Sequence, residues 1–192
     1  GVVVYSLNGT PVDCVKMAID IILKGKKPTI CVSGINHGSN ASINVIYSGT
    51  MSDAMETAID GIPAVGFSNL DFNYEADFSI AKAVATDIVT KMLAEQYPTH
   101  FLLNVNIPKV SKEDFKGIKI CRQADAFWAE NFDHRTDPRG RNYYWMVGKF
   151  TNRDQGMDTD VQALREGYAS VVPVRIDFTD EAVKSWLERK WK

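Results

Sequence analysis

The chain has 192 residues, 45% of them apolar, and a formal charge of −2 at neutral pH. This is enough apolar side chain for one substantial core in a compact domain. The balanced charge leaves no basic footprint for a nucleic-acid polymer, and no apolar run nears the roughly 18 residues of a membrane span. Val2 to Tyr5 reads as a strand that ends in the turn Asn8-Gly9. Thr10-Pro11 then supplies a cap and a first-turn proline, and Val15, Ala18, Ile19, Ile22 and Leu23 recur at helical spacing as far as Gly25. Strands are expected at Pro28 to Val32, Pro63 to Phe67 and Phe101 to Ile107, with helices at Thr50 to Ile59 and Ala76 to Leu93 between them.

Strands alternating with helices predict a Rossmann-like, doubly wound α/β fold, a mainly parallel sheet covered by helices on both faces. Ligands in such sheets bind beyond the carboxyl ends of the strands, so the loop after Val32 is where chemistry is expected. Beyond Pro108 the texture changes. Ile118 to Cys121 reads as a short strand, and Phe127 to Phe150 as an excursion whose run Tyr143 to Val147 must bury its side chains against its own domain or another subunit. A last strand, Ala169 to Ile176, precedes a helix capped at Thr179-Asp180 and running to Trp191. The expected division is a core over 1–126 and an arm with a carboxyl-terminal extension over 127–192, part of which returns to the core. Cys14, Cys31 and Cys121 are scattered and read as buried free thiols, which points to a reducing, cytoplasmic setting. They and His37, His100 and His134 show no zinc-ligand spacing.

From Ser33 to Thr50 the chain is dense in Gly, Ser and Asn, which offer backbone N–H groups and neutral polar side chains without negative charge. Ser48-Gly49-Thr50 leads into a helix, so free N–H groups and the positive end of the helix dipole face this loop. A helix cap alone would use the same residues. His37 reads as an exposed loop residue rather than a general acid. Tyr47, Phe67 and Phe72 could stack a base or pack the core.

These segments resemble the SurE family, the stationary-phase survival proteins that act as 5′(3′)-nucleotidases. Gly9-Thr10-Pro11-Val12-Asp13-Cys14-Val15 is similar to the family's Gly-Thr-Pro-x-Asp-Cys-Val, and Val32-Ser33-Gly34-Ile35-Asn36-x-Gly38-x-Asn40 to its metal and phosphate loop. Tyr47-Ser48-Gly49-Thr50 is similar to its phosphate turn, and the likeness continues through Leu103 to Pro108, Asp137 to Arg141 and Glu166 to Val171. The resemblance implies one divalent ion per subunit, magnesium or manganese, with Asn36 as a ligand. Asn40, Ser48, Gly49 and Thr50 would hold the phosphate of a nucleoside monophosphate. It also implies a protruding β-hairpin arm and a swapped carboxyl-terminal strand and helix, hence a homodimer or homotetramer.

The family's first strand ends in Asn-Asp-Asp, whose aspartates bind the metal, and a later Ser completes the site. None of these matches a position here, so the expectation is a member lacking its amino-terminal portion, with the catalytic aspartates preceding Gly1. Asp13, Asp53, Asp71, Asp158 and Asp160 are not expected to substitute: Asp13 and Asp53 read as surface carboxylates near helix amino ends, and Asp158 and Asp160 as part of a solvated turn, although these two could approach the mouth of the site. The expected reaction is attack of water on phosphorus beside a cation, with Ser48 to Thr50 receiving the phosphate oxygens. The competing reading is a non-catalytic nucleotide-binding or oligomerisation module.

Overall fold

The computed structural model describes residues 1–98 and 100–192. Its core is a five-stranded sheet with helices against it. Thr10 and Asp13 form a reciprocal cap for α1 (Pro11–Met17), whose path continues as one wider turn over Ala18–Ile22. There follow β1 (Cys31–His37), a 3₁₀ helix (Ser42–Tyr47), α2 (Gly49–Ile59), β2 (Ala64–Asn69), α3 (Ser79–Ala94) and β3 (Leu102–Ile107). The chain continues through β4 (Ile118–Ile120), β5 (Ala126–Thr136), β6 (Asn142–Asn152), α4 (Asp160–Arg165), β7 (Ala169–Pro173) and α5 (Glu181–Lys190).

The sheet order is β1-β2-β3-β7-β4. The first three strands are parallel, while β7 runs antiparallel to β3 and parallel to β4. Side chains alternate between the two faces of a strand. On one face Val65, Phe67, Leu103, Val105 and Ile107 pack against Ala81, Val84, Ile88 and Met92 of α3. On the other, Ala64 and Leu102 pack against Met51, Ala54 and Ala58 of α2. Gly66 lies under α2 because a Cβ there would stand 2.5 Å from Met51 Sδ.

Three sequence expectations change. Val2 to Tyr5 is not a strand: these residues are exposed, and a β-branched run becomes a strand only where another strand hydrogen-bonds to it. The segment from Ser33 to His37, read as loop, continues β1, because its backbone pairs with β2 across an irregularity between Ser33 and Asn36. The thiols are free, but Cys14 is exposed, Cys31 is half-buried and only Cys121 is buried.

β5 and β6 form a separate two-stranded ribbon in which Phe132 faces Met146 and His134 faces Tyr144. Directly opposed residues share a face, so Phe132, His134, Tyr144 and Met146 make one continuous apolar and aromatic surface. All four are exposed.

Candidate active site

The α2 face of the sheet carries a polar row at the carboxyl ends of parallel β1, β2 and β3, joined by the amino end of antiparallel β7. Asn36 on β1 is paired with Ser68 on β2, Ser68 with Asn106 on β3, and Asn106 with Ser170 on β7. Asn36 Oδ1 accepts three hydrogen bonds, from Ser68 Oγ at 2.8 Å, Asn40 Nδ2 at 3.1 Å and Thr50 Oγ1 at 3.1 Å. Its Nδ2 donates to the carbonyls of His37 and Gly38, which fixes the amide's orientation. Asn40 is buried, and its backbone is clamped from below: its N–H donates to Asn106 Oδ1 at 2.7 Å, and its carbonyl accepts from Asn104 Nδ2 at 2.8 Å. Asn106 Nδ2 donates in turn to Asn104 Oδ1.

This lattice explains why the loop can be rich in small polar residues and still hold one shape. Asn36, Asn40, Ser68, Asn104 and Asn106 are each ordered by a neighbour, while Ser170 Oγ is buried without a partner, so a ligand meets polar groups that are already oriented. Gly34 has φ of +107°, and a Cβ there would strike the carbonyl oxygen of Phe67, so only glycine lets β1 approach β2 at this point. Ser48 is the N-cap of α2, its Oγ accepting from Met51 N at 3.0 Å. Gly49 and Thr50 are the first helical residues, and the opening N–H groups of a helix have no partner within it. Thr50 therefore joins the Asn36–Asn40 cluster to the amino end of α2.

The other sequence candidates lie elsewhere. His37 is exposed, with Nδ1 donating to the Asp71 carbonyl at 2.9 Å and its ring edge-on to Phe78. Phe67 is fully buried in the core and cannot stack a ligand, whereas Tyr47 and Phe72 are exposed. The Phe72 ring packs against Gly38. Asp13 belongs to the α1 cap, Asp71 pairs with Lys109, and Asp158 pairs with Arg122. Asp160 does not reach the site mouth; it is buried among backbone N–H groups. Asp53, on α2, accepts from Ser33 Oγ at 3.2 Å, and burial raises its pKa despite that bond. Burial likewise pushes the Cys31 and Cys121 thiols up, which keeps both protonated and poor nucleophiles.

Ser68, Asn104 and Asn106 were not singled out from sequence. Their signal was present: two asparagines two residues apart in an apolar strand occupy one face, and a fully buried polar face needs partners.

Residues 1–130 match the model of the family described as Survival protein SurE. The chain belongs to the SurE family. It is 58% identical over 188 residues to a Flavobacterium johnsoniae protein named 5′-nucleotidase SurE, covering 98% of this chain and 72% of that one. A Cytophaga hutchinsonii protein of the same name is 54% identical over 192 residues, covering 100% of this chain and 74% of the relative. The crystal structure of the SurE protein from Aquifex aeolicus superposes with a TM-score of 0.81 at 38% identity, over 96% of this chain and 74% of that one.

A hard divalent ion requires several oxygen ligands, carboxylates among them. The polar row of this SurE chain offers amide and hydroxyl oxygens only, and Asn36 Oδ1 already accepts three bonds. Among the described residues no group of three or more His, Cys, Asp and Glu could hold a metal ion. The described residues therefore do not by themselves form a complete divalent-ion site.

Proposed function

We propose that the chain is a 5′-nucleotidase: a metal-dependent phosphomonoesterase that hydrolyses nucleoside 5′- and 3′-monophosphates to nucleoside and phosphate. The observation that carries this reading is the meeting of Asn36, Asn40 and Thr50 at the amino end of α2, in a chain 58% identical to a relative named 5′-nucleotidase. Asn40, Ser48, Gly49 and Thr50 bind the substrate phosphate. The opening N–H groups of α2 are uncharged donors that need no reorganisation as negative charge shifts over the phosphate oxygens, and the Asn40 amide, which donates to Asn36 Oδ1 and Ser68 Oγ, turns one of its N–H groups from these to the phosphate. Asn36 is the one residue here assigned to a divalent ion, magnesium or manganese, one per subunit; its Oδ1 would exchange at least one of its three donors for the ion, which would neutralise phosphate charge. Raised thiol pKa values at Cys31 and Cys121 argue against a cysteine phosphoenzyme, and the Ser48 oxygen accepts from Met51 N to cap α2, so that Ser48 serves as a hydroxyl donor to phosphate rather than as a nucleophile.

The setting is cytoplasmic, in keeping with three free thiols. No described helix is long and apolar enough to cross a membrane. The partner is a second copy of the chain, in a homodimer or homotetramer, joined through the exposed β5–β6 ribbon and the carboxyl-terminal extension. α5 buries none of its residues, and Phe178 and Trp191 on either side of it are exposed, which supports a covering subunit. Phosphate release from a nucleoside monophosphate, with and without a chelator, tests the reading. Metal-dependent release is expected, whereas nucleotide binding without release favours a binding module.

A further inference from the structure

The phosphate turn is reached through a residue in an unfavourable conformation. Ser42 opens the 3₁₀ helix with φ of +55°, a left-handed value that is unfavourable for a non-glycine residue. It is fully buried, and its N–H points at Asp160, whose Oδ2 accepts at 2.7 Å. Asp160 is only 1% exposed, and its Oδ1 also accepts from Ala124 N at 3.0 Å and Val161 N at 2.8 Å. Asp160 has no cation partner among the described residues; three backbone N–H groups donate to its carboxylate, and burial raises its pKa in spite of them. A buried charge is expensive where neutral packing would serve. Capping does not account for it either, because the Thr159 hydroxyl already caps α4 by accepting from Gln162 N. Two of the three bonds to the carboxylate instead reach distant segments.

We propose that Asp160 is a positioning residue for the phosphate turn: its carboxylate holds Ser42 left-handed, so that the 3₁₀ helix delivers Ser48, Gly49 and Thr50 to the cluster around Asn36. Ser42 completes the latch on the other side. Its Oγ donates toward the carbonyls of Ala124 and Ala126 and accepts from Ala126 N at 3.1 Å, tying the same point to the root of β5. Asn44, one further step along the 3₁₀ helix, accepts from Trp128 Nε1 at 3.0 Å. The phosphate turn is thus hung from α4 and the hairpin root.

The proposal rests on the phosphate site described above, and its test separates the two. Asp160→Asn preserves shape but sets an NH₂ group against one of the N–H donors; Thr159→Ala weakens the same helix without touching Ser42. Three readouts are compared in wild type and both variants: affinity for inorganic phosphate, KM and kcat for a nucleoside monophosphate, and hydrogen exchange over Ser42–Tyr47. Asp160→Asn should weaken phosphate binding and raise KM by about 10-fold or more, the loss of one charge-assisted hydrogen bond, and speed exchange over Ser42–Tyr47. Thr159→Ala should lower the melting temperature and leave KM and that exchange unchanged. Wild-type phosphate affinity in a folded Asp160→Asn protein, or parallel effects of the two variants, would overturn the proposal. Wild-type protein that binds phosphate but releases none from nucleotides would defeat the nucleotidase reading and leave the latch standing.

Discussion

At the scale of residues, the site depends on neutral groups that hold one another in place. Asn36→Ala removes one acceptor shared by three donors, leaving Ser68 Oγ, Asn40 Nδ2 and Thr50 Oγ1 to find others. The expected cost is about 1–3 kcal/mol in a denaturant titration, with kcat/KM for a nucleoside monophosphate reduced by at least about tenfold. Asp53 makes a separate prediction. Its Oδ1 is buried without a partner, and burial raises its pKa, so the folded protein takes up this proton at higher pH than the unfolded chain. The contribution to stability is therefore full below the ordinary carboxylate range and is lost as pH rises through the raised value. Asp53→Asn should melt above wild type at pH 7, with the gap closing toward about pH 4, where both chains carry a neutral group. A gap that widens on acidification would contradict this reading. In the sequence, Asn36, Asn40 and Ser48 to Thr50 stood out because they are concentrated in one loop. Ser68, Asn104 and Asn106 did not, because only strand pairing brings residues so distant in the chain beneath it.

At the scale of elements, the periodicities located α2, α3 and β3 within a few residues, because each has a long apolar face with a clear period. They did not reveal α4, six residues capped by Thr159, nor the antiparallel setting of β7, which is decided by a long-range choice of neighbour. Ser48 serves two purposes at the element scale, closing α2 and presenting Gly49 and Thr50. Ser48→Ala should cost about 1 kcal/mol of stability through the lost cap and also weaken phosphate binding, read by thermal melting and phosphate titration. Ser48→Asp restores a cap, so its stability should recover, while the added negative charge keeps phosphate out.

At the scale of the whole molecule, the β5–β6 ribbon stands outside the core with an aromatic face, and an isolated two-stranded ribbon is marginal in water. The pair Phe132→Glu with Tyr144→Glu should lower the molar mass measured by sedimentation while leaving the far-ultraviolet circular dichroism of the core unchanged. An unchanged mass would remove the ribbon from the subunit contact. The sequence indicated this arm through its run of apolar and aromatic residues, but not which face carries it, which follows from the pairing register. The most direct measurement concerns the junction between the amide cluster and α2. Thr50→Val keeps the shape of the side chain and removes the hydroxyl that donates to Asn36 Oδ1. With magnesium or manganese present, wild-type protein should release inorganic phosphate from a nucleoside 5′-monophosphate, and Thr50→Val should do so with kcat/KM lower by about tenfold or more. Equal kcat/KM in the two proteins would show that the Asn36–Thr50 junction is not where the phosphate is held.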